Sequence, residues 1–108
     1  NESVIRISQG SANHVKIVKV TNINNLIDEL KENGFWIYAL EVGGQNIYKT
    51  DLKGKIAIIV GGEDTGVNSL TKKKSDVVLE IPLQGKVNSL NASVACGVAV
   101  FEAVRQRI

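Results

Sequence analysis

A chain of 108 residues, 44% apolar and 22% charged, is long enough to build one core and too apolar to be disordered. Its net charge of +2 is mildly basic, which permits an anionic partner without requiring one. A single cysteine, Cys96, excludes an internal disulfide and agrees with a reducing compartment, and no apolar run reaches the roughly 18 residues of a membrane span.

Taken in chain order, Glu2 to Ile7 reads as the end of a helix and Ser8-Gln9-Gly10-Ser11 as a loop. Val15 to Val20 is short and β-branched, which predicts a strand. Ile23, Leu26, Ile27 and Leu30 then fall on one helical stripe, with Asn22 as N-cap and Asn33-Gly34 as the stop. Phe35 to Leu40 is a second strand, so the unit predicts a parallel pair with a crossover helix. Gly43-Gly44 is expected to break that strand, and Ile47-Tyr48 to add a short extended piece. Ile56 to Val60 carries no polar residue, the pattern of a strand covered on both faces. Leu70 to Ser75 reads as a short exposed helix, and Val77 to Ile81 as a fourth strand closed by Pro82. The last helix, from Leu90 to about Arg107, carries a bulky stripe (Leu90, Val94, Val98, Phe101, Ile108) and a small one (Ala92, Ala95, Ala99, Ala103). A helix apolar on so much of its circumference is expected to be covered on a second side, most naturally by another subunit.

Two glycine- and asparagine-rich bends follow buried strands: Val60 to Gly66, and Ile81 to Asn91. Loops at the carboxyl ends of parallel strands can cradle a small polar ligand. The first bend has the glycine spacing of a P-loop, but Val67 and Asn68 stand where Lys and Ser/Thr are needed. On pattern alone, a tight strand-to-helix connection is the favoured explanation of those glycines. Glu63 and Asp64 fit a stabilised helix start, a general base or a metal site, and no nearby His or Cys completes a metal set. Ser89 and Asn91 fit helix capping or ligand contact, which the local pattern leaves open. Lys72-Lys73-Lys74 fits a solvated face or a surface for RNA phosphates, to which Arg105 and Arg107 could add. His14 is expected in a loop and Cys96 as a core filler, and no Ser-His-Asp or Cys-His set supports a hydrolase.

In order, Ile58-Ile59-Val60-Gly61-Gly62-Glu63-Asp64-Thr65-Gly66, Asp76 to Leu83 and Ser89-Leu90-Asn91-Ala92-Ser93-Val94-Ala95 resemble the second and third motifs of the SpoU/TrmH RNA ribose 2′-O-methyltransferases, of the knotted SPOUT superfamily. Phe101 to Arg107 resembles the C-terminus of the ribosomal branch. The likeness covers essentially the whole chain. It implies an α/β fold, a parallel sheet flanked by helices, ending in a deep C-terminal trefoil knot. It also implies a cytoplasmic homodimer packed through the last helix, with no metal. The implied cofactor is S-adenosylmethionine, bound by Ala39, Leu40, Gly61, Gly66, Ile81, Leu83 and Leu90. Glu63, Ser89 and Asn91 fall on the family's polar positions, near the substrate ribose.

The implied reaction is methyl transfer to guanosine 2′-oxygen in large-subunit (23S) ribosomal RNA; transfer RNA is the alternative substrate. The family's proton-removing arginine belongs to a first motif that nothing here matches: Arg6 precedes Arg105 alone, in surroundings that do not fit. Methionine is absent altogether. The expectation is therefore that residues 1–108 are the C-terminal part of a single methyltransferase domain whose N-terminal part is missing, inactive alone. A non-catalytic module that binds S-adenosylmethionine or RNA is the competing class.

Overall fold

The computed structural model describes residues 3–9, 13–19, 24–61, 69–83 and 92–108. In chain order these form strands β1 (Ser3–Gln9) and β2 (Asn13–Lys19), helix α1 (Asn24–Glu32) and strand β3 (Trp36–Asn46). A 3-10 turn (Ile47–Lys49), strand β4 (Ile56–Val60), helix α2 (Ser69–Lys74), strand β5 (Val77–Glu80) and helix α3 (Ala92–Arg107) follow. The strands make one sheet of order β1-β2-β4-β3-β5. β2, β4, β3 and β5 run parallel, and β1 pairs antiparallel with β2.

β4 lies at the centre because every residue of it is apolar and can be buried on both faces. Period-two alternation then divides the core. Ile37, Ala39, Ala57 and Ile59 point to one face and pack with Ile27, Leu30 and Phe35. Tyr38, Ile56, Ile58, Val60 and Leu79 point to the other, under Ala99 and Ala103 of α3, with Ile47 and Leu52. The result is a helix–sheet–helix sandwich, the α/β architecture expected, with an antiparallel edge strand added.

Five local expectations are corrected. Residues 3–9 are a strand rather than a helix end: alternating Ile5 and Ile7 pair with Ile17 and Val15. His14 and Gln9 accordingly lie in strands, not loops. β2 and β3 are parallel but not neighbours, since β4 inserts between them. The glycine pair does not end β3. Its ladder with β5 jumps from Leu40↔Leu79 to Gln45↔Leu79, and the residues between bulge out, with Gly43 at φ +91°. Ile47-Tyr48 is helical because Asn46 caps it: its Oδ1 accepts the Tyr48 N–H at 2.8 Å, and its carbonyl accepts the Thr50 hydroxyl at 2.8 Å.

Other readings hold. Gly34, at φ +85°, stops α1, and the Phe35 N–H returns to the Leu30 carbonyl at 3.0 Å. Asp76 ties the start of β5 to β3, donating to and accepting from the Ile37 backbone at 2.8 and 2.7 Å. Asn22 and Ile23 lie outside the described residues.

Candidate functional site

Strands β4 and β5 end beside the point where β3 enters its bulge. Leu40 of β3 lies opposite Val60 of β4 on one side and Leu79 of β5 on the other. Leu40, Gly61 and Ile81 therefore share one edge of the sheet, where ligands of α/β folds usually bind. Gly61 is half-buried and offers main-chain groups without a side chain in front of them. Ile81 packs on the core face under α3, and Leu83, two residues on, is half-exposed. Ala39 is fully buried on the α1 face, so its side chain is core and only its backbone reaches this edge. Gly66, Leu90, Glu63, Ser89 and Asn91, with the rest of 62–68 and 84–91, lie outside the described residues.

The edge holds one polar contact that the sequence reading missed. The Glu80 carboxylate accepts the Gly43 N–H at 2.5 Å, holding the β3 bulge against the end of β5. An acid closing an otherwise apolar strand was the available signal. Glu41 accepts the N–H of its neighbour Val42 at 3.0 Å. Half-exposed apolar Ile81 and Leu83 beside an open main chain suit a flat ligand with apolar faces and a polar rim. Among the described residues no group of three or more His, Cys, Asp or Glu side chains could hold a metal. No described helix is long and apolar enough to cross a membrane.

The second polar concentration lies at the far end of α3. Glu102 is buried and accepts from Arg105 Nε and Nη2 at 2.9 and 2.7 Å, and from Gln106 Nε2 at 2.8 Å. The Arg105 hydrogen bonds hold the Glu102 carboxyl below the usual carboxylate range. Gln106 also donates to the Thr50 carbonyl at 2.9 Å and accepts the Leu52 N–H at 2.7 Å. Arg107 Nη1 donates to the carbonyls of Leu52 and Ala103 at 2.6 and 2.9 Å, and Nη2 to the Gly54 carbonyl. Burial pulls the Arg107 guanidinium below its ordinary value. Arg107 is thus committed to backbone carbonyls, which removes it from the alternative reading in which it adds to a surface for RNA phosphates. Arg105 is two-thirds exposed but already paired with Glu102. In the lysine run, Lys74 pairs with Asp28 at 3.0 Å.

Of the bulky stripe, Val94 and Phe101 of α3 and Ile108 just beyond it are open to solvent, Val98 is half-buried, and Leu90 lies outside the described residues. Phe101 is 77% exposed, Ile108 92% and Val94 47%, while Ala99 and Ala103 are fully buried against the sheet.

Residues 1–101 match the family model described as the SpoU rRNA methylase family. The chain is 44% identical over 108 residues to the 23S rRNA (guanosine-2′-O-)-methyltransferase RlmB of Xylella fastidiosa, matching 99% of this chain and 43% of that protein. A crystal structure of the A. aeolicus TrmH/SpoU tRNA modifying enzyme superposes with a TM-score of 0.72 at 34% identity, covering 82% of this chain and 46% of that one. The AdoMet-bound rRNA methyltransferase from Sinorhizobium meliloti does so with a TM-score of 0.73 at 25% identity, covering 81% and 34%. The chain spans less than half the length of the curated relatives it matches. With its family motifs in order along a sheet of this topology, the chain belongs to the SpoU rRNA methylase family.

Proposed function

We propose that the protein carrying this chain uses S-adenosylmethionine to methylate the 2′-hydroxyl of a guanosine in 23S ribosomal RNA. The observation that carries this reading is the shared edge formed by Leu40, Gly61 and Ile81, from which both glycine-rich bends depart. The AdoMet-bound rRNA methyltransferase that superposes on this chain and the RlmB relative support the cofactor and the substrate respectively. When bound, the cofactor supplies an electrophilic methyl group on a sulfonium. The chain's own part is alignment, because a bound near-attack geometry removes most of the entropic barrier. Main-chain groups of Ala39, Leu40, Gly61 and Gly66 would read the polar rim of the adenosine, and Ile81, Leu83 and Leu90 its faces. Glu63, Ser89 and Asn91 would orient the ribose. A base must take the hydroxyl proton, and the resemblance assigns that task to an arginine of a motif with no match here.

The same proposal includes the deep C-terminal trefoil knot that the resemblance implies, and a homodimer. The exposed Val94, Phe101 and Ile108 support the homodimer, since they form one apolar stripe at a spacing of seven residues. Residues 1–108 alone would hold the cofactor and transfer no methyl group.

The test is methylation of unmodified ribosomal RNA by the full-length protein with labelled S-adenosylmethionine, with the product position mapped. Transfer to a guanosine ribose is expected. Transfer only to transfer RNA favours the alternative that the A. aeolicus relative suggests. Cofactor binding without transfer to either RNA leaves a binding module.

A further inference from the structure

Strand β5 is short and lies at the edge of the sheet, so within the sheet only β3 fixes where its end arrives. The ladder between the two is regular as far as Leu40↔Leu79. Residues 41–44 then have no partner on β5, and pairing resumes with Gln45↔Leu79 and Asn46↔Glu80. The ladder is therefore broken at the edge where Leu40 and Ile81 meet, and a bulged strand there is free to bend. The Glu80 carboxylate spans the break, accepting the Gly43 N–H at 2.5 Å. A bond from an amide to an ionised oxygen is stronger than a neutral one and sets a definite separation. Among the described residues no cation pairs with Glu80, so an ion pair does not account for an acid in this place. Glu80 immediately precedes Ile81, and Gly43 stands three residues past Leu40. The bond thus ties together the two segments that carry them.

We propose that Glu80 is a positioning residue for S-adenosylmethionine: by holding Gly43 it fixes the separation of the Leu40 main chain from Ile81, and so sets cofactor affinity. This rests on the function proposed above. Without the bond, the bulge and the end of β5 take up several separations, of which a fraction accepts the ligand. Apparent affinity falls by that fraction, and saturating cofactor restores the competent state. The reach of the side chain is what acts, not its charge.

The experiment uses the full-length protein with Glu80→Ala, Glu80→Asp and Glu80→Gln. Gln keeps the length and an acceptor oxygen without the charge; Asp keeps the charge one methylene short of Gly43. Calorimetry with S-adenosylmethionine gives Kd, methylation of unmodified ribosomal RNA at saturating cofactor gives kcat, and magnetic resonance of protein isotope-labelled at glycine reads the Gly43 amide. Leu26→Ala, which loosens the α1 side of the core, is the stability control. In the Ala and Asp variants Kd is expected to rise about tenfold with kcat within about twofold, and the Gly43 amide proton to move upfield. Glu80→Gln and Leu26→Ala are expected to keep Kd within about threefold of wild type. Wild-type affinity in Glu80→Ala, a Gln variant as weak as Ala, an unmoved Gly43 amide, an equal loss of kcat, or an equal rise of Kd in Leu26→Ala overturns the proposal alone. Wild-type protein that binds no S-adenosylmethionine overturns the proposed function, and this role with it.

Discussion

A Cβ built on Gly44 would lie 2.5 Å from the Val78 carbonyl oxygen, so β3 and β5 meet there backbone to backbone. Real Cβ atoms do not approach an oxygen that closely, and no flexible side chain stands there to yield. Gly44→Ala is expected to destabilise the fold by about 1–3 kcal/mol, as overpacking at a rigid site does. Gly34 has nothing near its missing Cβ but sits at φ +85°, so Gly34→Ala should cost only about 1 kcal/mol. Urea titrations of both variants check the order; a Gly44→Ala protein as stable as wild type contradicts it.

Tyr38 links the first part of β3 to the Asp51 carbonyl, and Tyr38→Phe should lose about 1 kcal/mol. Burial, then the charges of Asp51 and Asp76, raise the phenol pKa above its ordinary value. A raised folded pKa means that the folded state holds the proton longer than the unfolded chain. The stabilisation is therefore complete below about pH 10 and is lost as pH rises through the folded pKa. Stability of Tyr38→Phe should fall less steeply than wild type in that alkaline window, measured by denaturant unfolding. Parallel curves would remove the argument.

Glu102 has the opposite sign. Its pKa is lowered chiefly by the Arg105 hydrogen bonds, so its contribution is present above the ordinary carboxylate range and disappears as pH falls through the folded pKa. Glu102→Gln should flatten the acid limb of the stability curve. An unchanged acid limb would mean that the ion pair contributes nothing.

On the open face of α3, replacing both Val94 and Phe101 by Asp should separate the proposed dimer. Burial of each large apolar side chain is worth about 1.5–3 kcal/mol, so the dissociation constant should rise by about two orders of magnitude or more. Sedimentation velocity reads the result. A variant pair that sediments like wild type, whether as monomer or dimer, rules this face out.

For the proposed chemistry, Asn91→Ala and Ser89→Ala should each lower kcat by about 10²-fold with the cofactor still bound. Leu83→Glu should abolish cofactor binding, because a carboxylate would be pressed against an apolar ligand face. Calorimetry with S-adenosylmethionine and single-turnover methyl transfer separate the two effects. Full activity in Asn91→Ala would remove that residue from the site.

Legibility tracked the range of the forces involved. The stripe of Leu26, Ile27 and Leu30, the apolar run Ile56 to Val60 and the stop at Gly34 are local patterns, and the structure has them where the pattern put them. Residues 3–9 were misread because a short β-branched segment declares itself a strand only when a partner such as β2 is known. The glycine pair after Leu40 looked like a terminator and proved to be a bulge, since only the approach of Val78 shows why a side chain is forbidden at Gly44. In the candidate site, Gly61 and Ile81 were legible as the residues that follow strand ends, whereas the Glu80 contact to Gly43 spans 37 residues and was not.

By itself, then, the sequence determined the family, the α/β class and the identity of the central strand. Ordered motifs and unbroken apolar runs are properties of neighbours along the chain. Only the tertiary structure decided that β4 separates β2 from β3, and that Arg107 grips backbone carbonyls rather than facing a phosphate. Both depend on which distant groups the fold brings within bonding distance. An arginine carries the same charge in either setting, and its partners alone decide whether it reads RNA or holds a helix in place.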